Sequence, residues 1–428
     1  MNAMRKLHVT APARQHGAAA LIVTMMLFFA MVLVAVFVNR NLVFEQRTSA
    51  NQYRSTQAFE AAEAGIEWAI AQLNGTNRIG ADCLTSSETT ATSFRARYLG
   101  FNHASAVFTP TAWLNGPVAM ALQPSCVRGA AGWSCSCPAS GAPALTPPAG
   151  AAAAPAFSLQ FLPSAAPGVV RIAANGCTSL AGACLPGSAT RPDASARIEV
   201  TLGLLAAVRT PPAAAVTARG AFLAEAPALG LHNPDPATGI AVHAGRSIAA
   251  GHARLTTPAG SSLASALVGG DASLAGLDTD QFFAGTFGID KATWKNQPAV
   301  TRLSCSGDCG AALTSLIDAA AGSALVWVDG DLTLAGPITL GSATRPVVLV
   351  VSGAARLDGA VALHGVLYAA SVDWNHASGG AFVRGAVLTE ADYQGDGAPE
   401  FFYDTAVLGT LASDAGSFAR VSGSWHDF

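Results

Sequence analysis

The chain has 428 residues, of which 51% are apolar and only 12% are charged, and it carries 43 Gly and 23 Pro. This length and apolar content exclude a disordered chain, and the abundance of turn-forming residues favours β-rich architecture over helical bundles. A formal net charge of −3 excludes a globally basic surface of the kind that binds nucleic acid.

The first predicted element is a membrane-spanning helix. The segment from Ala18 to Val38 contains no charged residue and is long enough to cross a bilayer once. Arg5, Lys6 and Arg14 precede it, so the positive-inside tendency predicts a cytoplasmic start and an extracytoplasmic remainder.

The helix is predicted to continue beyond the membrane. Apolar residues recur at spacings of three and four, as on one face of an amphipathic helix: Phe59, Ala62, Ile66, Ile70 and Leu73. Glu60, Glu63 and Glu67 mark another face, and Asn74-Gly75 supplies a helix stop. We therefore predict one long helix over residues 18–74, with 18–38 in the membrane.

The N-terminal region resembles a known family. The residues that carry the resemblance are Arg14-Gln15-His16-Gly17 before the apolar run and the block Ala58-Phe59-Glu60-Ala61-Ala62-Glu63-Ala64-Gly65 within the amphipathic helix. They look like those of the PilX-type pilus assembly proteins, minor pilin-like components of type IV pili, over about the first 75 residues. The ending Gly423-Ser424-Trp425-His426-Asp427-Phe428 is also similar to that of some longer members.

The resemblance implies a processed membrane protein. Residues 1–17 would be a prepilin-like leader that prepilin peptidase removes after Gly17, making Ala18 the mature N-terminus. The chain would be a single-pass inner-membrane protein with a periplasmic head before assembly, and would then join other pilins at the pilus or cell surface through its N-terminal helix. An uncleaved membrane anchor is the alternative that topology alone leaves open.

One residue departs from the pattern of major pilins. They carry a Glu at the fifth mature position, where this chain has Ile22. The resemblance links such a departure to subunits at the filament tip or in priming, because the minor K-type pseudopilins of type II secretion also lack that Glu. Simple variation among minor subunits is the competing interpretation.

Residues 75–212 are predicted to form a pilin-like, disulfide-containing region. Strand-like alternation occurs in 156–161 and 197–202. Eight cysteines follow the apolar helix, and an even number predicts disulfides formed in an oxidising compartment. The short separations favour the pairs Cys177–Cys184 and Cys305–Cys309. Zinc binding is the rival interpretation, although the spacings depart from the paired C-x2-C pattern.

Residues 213–428 are predicted to form a Gly-rich head of short strands, many closed by Gly. The candidate strands are 240–245, 273–276, 324–330, 332–336, 347–351, 355–359, 361–365, 366–370 and 381–388. This pattern suits a β-solenoid, a parallel β-helix whose coils stack, while an antiparallel sandwich remains an alternative. The segment from Gly276 to Cys305 is predicted as a loop or short-helix insertion. The fold class is therefore α+β and mostly β.

No motif predicts catalysis or a bound cofactor. The sequence lacks a Gly-x-Ser-x-Gly elbow, a His-Glu-x-x-His pair, a phosphate loop and a dinucleotide fingerprint. Asp329, Asp331, Asp396 and Glu400 are calcium candidates, because hard cations prefer several oxygen ligands, but turn chemistry explains the first two equally well. Aromatic residues concentrated in 374–425 suggest either a binding patch or a cap on the last coil.

These observations predict a non-enzymatic minor pilin-like component of a type IV pilus, acting in assembly priming or at the tip, with adhesion as a further role. Two alternatives remain, namely a membrane-anchored surface-binding protein outside any pilus and a minor pseudopilin of type II secretion. No nucleic-acid partner is predicted.

Overall fold

The computed structural model describes residues 16–149, 154–186, 188–224, 226, 228–251, 253–377 and 379–427. It divides into two units, the first ending at Thr56 and the second beginning at Gln57. A long N-terminal helix is followed by a mostly β region, so the α+β, mostly β class predicted from the sequence is confirmed.

The elements that precede the Gly-rich region include two helices and nine strands. They are α1 (His16–Asn74), α2 (Phe94–Tyr98), β1 (Leu99–Asn102), β2 (Val107–Pro110), β3 (Ala112–Asn115), β4 (Val118–Ala121), β5 (Ser125–Gly129), β6 (Gly132–Ser136), β7 (Ala156–Leu162), β8 (Val169–Cys177) and β9 (Ser195–Ala206). The strands predicted at 156–161 and 197–202 are confirmed by β7 and β9.

In the second unit α1 has the two faces that its periodicity predicts. Ala62, Ile66 and Leu73 are buried, whereas Glu60 and Glu63 are exposed. The backbone of Gly75 donates to the carbonyls at the helix end and terminates it.

The buried face of α1 packs on an antiparallel sheet. Strands β5, β7, β8 and β9 are consecutive neighbours in this sheet, and β6 pairs with β5 at one edge. At Gly176 on β8 the helix lies so close that a Cβ would be 2.1 Å from the carbonyl oxygen of Ala58. Only a glycine permits this approach, which lets Ile66 pack with Phe157 and Ile172 in one core.

The Gly-rich region and the C-terminus contain the remaining elements. They are β10 (Ala214–Ala218), β11 (Phe222–Leu223), β12 (Gly230–His232), β13 (Ile240–Ala244), β14 (Ile248–Ala249), β15 (Arg254–Thr256), β16 (Leu267–Val268), α3 (Ala272–Gly276), α4 (Thr279–Phe287), α5 (Lys291–Lys295), β17 (Val300–Leu303), α6 (Gly310–Ala319), β18 (Ala324–Val328), β19 (Leu332–Leu334), β20 (Ile338–Leu340), β21 (Val347–Leu357), β22 (Val361–Trp374), β23 (Phe382–Thr389), β24 (Tyr393–Gln394), β25 (Glu400–Phe402), α7 (Thr405–Ser413), β26 (Gly416–Arg420) and β27 (His426–Asp427).

Strands β10 to β25 form three ladders in which every strand pair is parallel. Ladder 1 runs β17, β18, β21, β22, β23, β10, β13 and β16. Ladder 2 runs β19, β21, β22, β24, β11 and β14. Ladder 3 runs β20, β22, β23, β25, β12 and β15. Strands β21 and β23 each contribute to two ladders, and the long strand β22 contributes to all three.

The order of strands in the ladders differs from their order in the chain. Residues 216–218 of β10 pair with 387–389 of β23, so the segment from β10 to β16 continues the stack beyond β25, although it comes first in sequence. Helices α3, α4 and α5 then connect β16 at one end of ladder 1 to β17 at the other. The segment that contains these helices therefore spans the stack from its last strand in ladder 1 to its first.

Ladder 1 is buried on both faces. Leu349 points into the core shared by the ladders, whereas Val350 and Tyr368 point outward against Phe283 of α4 and Leu408 of α7. This double burial explains the continuous apolar run at 347–351, because a strand covered on both faces has no polar side. Leu313 and Ile317 of α6 join the common core.

One predicted strand was wrong. Residues 273–276 lie in helix α3, because the Asp271 side chain accepts hydrogen bonds from the backbone N–H groups of Ser273 and Leu274 and caps the helix. The short-helix insertion expected between Gly276 and Cys305 is confirmed by α4 and α5.

The C-terminus returns to the antiparallel sheet. Strands β26 and β27 pair with β9, so residues 416–427 lie with the first sheet and outside the three ladders. The end of the region predicted to span 213–428 therefore differs from the prediction, since its last strands pair with a sheet formed far earlier in the chain.

Candidate functional site: the exposed N-terminal helix

The first half of α1 exposes an apolar surface. From Leu21 to Val38 every side chain is exposed, including Leu27, Phe28 and Phe37. The helix is long and apolar enough to cross a membrane. An apolar surface of this extent is unstable in water, so it requires lipid or other apolar helices as its surroundings.

The residues predicted for processing lie at the start of this helix. Gly17 lies in the first turn, and a Cβ placed there would meet no atom within 4 Å. Ala18 follows within the same helix, while residues 1–15 of the predicted leader lie outside the described residues. Ile22, which stands at the fifth position after Gly17, is 56% exposed.

The C-terminal end of α1 is hydrogen-bonded to strand β26. The Asn74 side chain accepts from the backbone N–H of Phe418 at 2.7 Å and donates to its carbonyl at 3.0 Å. Arg95 donates to the carbonyl oxygens of Leu73, Asp414 and Gly416. Desolvation by burial lowers the pKa of Arg95 to about 10, a value at which the guanidinium stays charged at neutral pH.

Arg95 is therefore a cation placed between two helix C-termini. Leu73 lies in the last turn of α1 and Asp414 is the C-cap of α7, where the helix dipole places partial negative charge. Burial raises the pKa of the Asp414 carboxyl. The sequence contained no signal for this arrangement, because its partners are separated by more than three hundred residues.

The eight cysteines are all joined in disulfides. The pairs are Cys83–Cys137, Cys126–Cys135, Cys177–Cys184 and Cys305–Cys309. Three of them lie in and around the antiparallel sheet, and the fourth lies at the start of α6. These bonds leave no thiol for zinc.

Three of the four calcium candidates, Asp329, Asp331 and Glu400, bond other protein groups. Asp329 accepts from Lys295, Arg302 and Trp327, and the hydrogen bond from Lys295 is the largest cause that lowers its pKa to about 2. Asp331 accepts from the backbone N–H of Ala354 at a turn.

Glu400 bonds His232 and Arg254, and Asp396 lies in the turn before it. Among the described residues, no group of three or more His, Cys, Asp and Glu side chains could hold a metal ion.

The aromatic residues of 374–425 do not form one patch. Trp425 packs against the core formed by α1 and the antiparallel sheet. Trp374, Tyr393 and Phe401 are buried in the core common to the ladders. Phe402 lies on the outer side of ladder 3, stacked between Arg384 and His232. The described aromatics of the ladders therefore act mainly as core.

Comparison with known proteins identifies the N-terminal segment. Residues 16–67 match the family described as PilX N-terminal, which confirms the resemblance read from the sequence over this segment. The similarity therefore extends over the apolar run and most of the amphipathic part of α1.

Among curated proteins none matches this chain. Among solved structures, the crystal structure of the competence-associated pilin ComZ from Thermus thermophilus matches at 13% identity and a TM-score of 0.23. That match covers 88% of this chain and 97% of the other, and a score of this size bears on neither fold nor function.

Proposed function

We propose that the chain is a minor pilin-like subunit of a type IV pilus, whose first helix leaves the membrane during assembly and packs among the helices of other pilins. The observation that carries this proposal is the coincidence of the exposed apolar helix with the PilX N-terminal match over residues 16–67. Helices packed in a staggered, head-to-tail manner build open filaments, and the subunit would act structurally, without chemical turnover.

The proposed topology places the second unit outside the cytoplasm. The basic residues Arg5, Lys6 and Arg14 precede the apolar run, and four disulfides follow it. Both features favour an inner-membrane protein with a periplasmic head that later reaches the pilus or cell surface.

Processing by prepilin peptidase tests the proposal directly. The mature protein should begin at Ala18, and intact-mass measurement should show loss of residues 1–17. Gly17→Phe should retain Met1, whereas Ala20→Phe, an equally bulky change inside the helix, should be processed as the unaltered chain is. Retention of Met1 by the unaltered chain, together with its absence from sheared pili, would contradict the proposal.

Ile22 supports a tip or priming position. A Glu in that place would neutralise the N-terminal amine of a neighbouring subunit, and a buried amine without such a partner is costly in an apolar surrounding. Immunogold labelling should therefore find the unaltered chain at filament ends and Ile22→Glu along the shaft. Shaft labelling of the unaltered chain would favour simple variation at this position.

The finer architecture that we propose for the Gly-rich region is a β-solenoid. Three parallel ladders share one apolar core, and successive strands of the chain move from ladder 1 to ladder 2 to ladder 3. Such a head is a rigid body suited to display or adhesion at a filament end. A high-resolution map that showed antiparallel pairing among β18 to β25 would contradict it.

A further inference from the structure

The helix α1 carries a regular stripe of arginines in the first unit. Arg40 and Arg47 are separated by seven residues, which brings them to one face of a helix, and Arg54 continues the spacing. Arg40 and Arg47 are exposed. Arg47 lies nine residues, or about two and a half turns, beyond Val38, the last residue of the apolar run.

The second unit carries glutamates with the same spacing. Glu60 and Glu67 are also seven residues apart, and all three of Glu60, Glu63 and Glu67 are exposed. They lie on the side of α1 that the antiparallel sheet leaves open, because Ala62 and Ile66 form the buried side. Glu67 bonds Arg420 at the surface.

The equal spacing makes the two stripes complementary. Side chains within one helix meet at separations of three or four residues, so charges twenty residues apart call for a second helix. In a parallel neighbour displaced by twenty residues, Arg40 would face Glu60 and Arg47 would face Glu67 at the same time. The surface bond between Glu67 and Arg420 is no obstacle, because an exposed ion pair contributes little and can exchange partners.

We propose that this arginine stripe, Arg40 and Arg47, binds Glu60 and Glu67 of a second copy of this chain and thereby sets the stagger between the two helices. The inference rests on the proposed pilin-like function, since it needs helices that pack in parallel. The second copy is the occupant because both halves of the charge pattern, with one common period, belong to this single sequence. Apolar contact holds the helices together, and the ion pairs favour this displacement over those that leave the arginines unpaired.

Charge reversal in full-length protein tests the inference. Two differently tagged copies are expressed together, and the amount of one that co-precipitates with the other from detergent extracts is measured. The variant R40E/R47E should lower that amount on the order of tenfold, and so should E60R/E67R, because attraction becomes repulsion at two positions. The chain that carries all four reversals should recover at least half of the unaltered amount.

Two controls separate the expected result from simpler causes. E45R reverses a charge on the same helix outside both stripes and should leave co-precipitation unchanged. Protease resistance of the second unit should be equal in all variants, since the four side chains are exposed.

Three outcomes would overturn the inference. These are double reversals without effect, failure of the fourfold reversal to recover, and absence of co-precipitation between unaltered copies. If the arginines bind lipid phosphates instead, R40E/R47E weakens membrane retention and the fourfold reversal does not restore it.

The inference and the proposed function can fail separately. If the unaltered chain is processed after Gly17 and found in sheared pili, but the fourfold reversal does not recover co-precipitation, only the proposed stagger is refuted. Unaltered chain that keeps Met1 and is absent from pili refutes the function itself.

Discussion

The two halves of α1 differ in how their apolar residues are arranged. Residues 21–38 are apolar on all sides and exposed, whereas 57–74 confine buried residues such as Ala62 and Ile66 to one side and glutamates to the other. A helix with one apolar side can bury that side against the sheet of its own chain. A helix that is apolar all round has to find its surroundings elsewhere, in lipid or in other helices, and that is the difference on which a pilin-like role depends.

The largest expected effect comes from placing the same charge in each half. Ile66→Lys buries an ammonium between the helix and the sheet and should lower the free energy of unfolding of the second unit by about 4 kcal/mol or more. Leu27→Lys should leave that free energy unchanged and instead reduce membrane insertion, at a cost of about 3 kcal/mol. Urea unfolding followed by tryptophan fluorescence, together with membrane fractionation, measures both.

If Ile66→Lys and Leu27→Lys destabilised the second unit equally, the contrast between the two halves of α1 would be wrong. It would mean that residues 21–38 also take part in the stability of the second unit.

The next effect concerns the close approach of helix and sheet. Gly176→Ala places a Cβ 2.1 Å from the carbonyl oxygen of Ala58 and should destabilise the second unit by about 3 kcal/mol through overpacking. Gly285→Ala in α4 is the matched control, because its Cβ would meet no atom within 4 Å and a helical alanine is favourable. Thermal unfolding of both variants checks this, and a neutral Gly176→Ala would show that α1 can lift from β8 without loss.

A smaller effect is expected from the cation at the two helix ends. Arg95→Met removes three charge-assisted hydrogen bonds to partly buried carbonyls, which should cost about 2 kcal/mol. Arg128→Met, a change at an exposed arginine, should cost less than about 0.5 kcal/mol. The prediction fails if chemical denaturation gives the two variants the same midpoint.

The smallest effect is a pH dependence confined to the ladders. Burial, with a contribution from Arg254, lowers the pKa of His232 below its ordinary value. Because the unfolded state binds the proton more readily, the contribution of neutral His232 to stability is fully present above the ordinary pKa of 6.5. It is lost as pH falls from there through the lowered pKa of the folded state. The melting temperature should drop slightly between pH 7 and pH 5.5, and less so in His232→Gln; an equal drop in both would assign the dependence to other groups.

Several parts of the fold were predictable because their signals are local. The spacing of Ala62, Ile66 and Leu73 predicts the buried face of α1, and alternation predicts β7 and β9. The error at 273–276 has an equally local cause, since the cap formed by Asp271 outweighs the apolar residues in a five-residue segment.

The candidate site was predictable where it depends on composition. The apolar run, the polar helix that follows it and the residues around Gly17 are all visible in the amino-acid sequence. The hydrogen bonds of Asn74 and Arg95 to the C-terminal residues were not predictable, because a polar side chain near a helix end does not show which distant backbone group it will bond.

By itself the sequence determined that an apolar helix continues into an amphipathic helix and then into a disulfide-bonded, strand-rich remainder. It could do so because the period of the apolar residues and the composition indicate which sides of an element are buried. Only the tertiary structure decided that β10 stacks on β23, that β26 returns to β9, and that Cys83 joins Cys137. The physical reason is that ladder hydrogen bonds are made by the backbone, which is alike in every residue, so the choice among distant strands depends on how whole surfaces fit together.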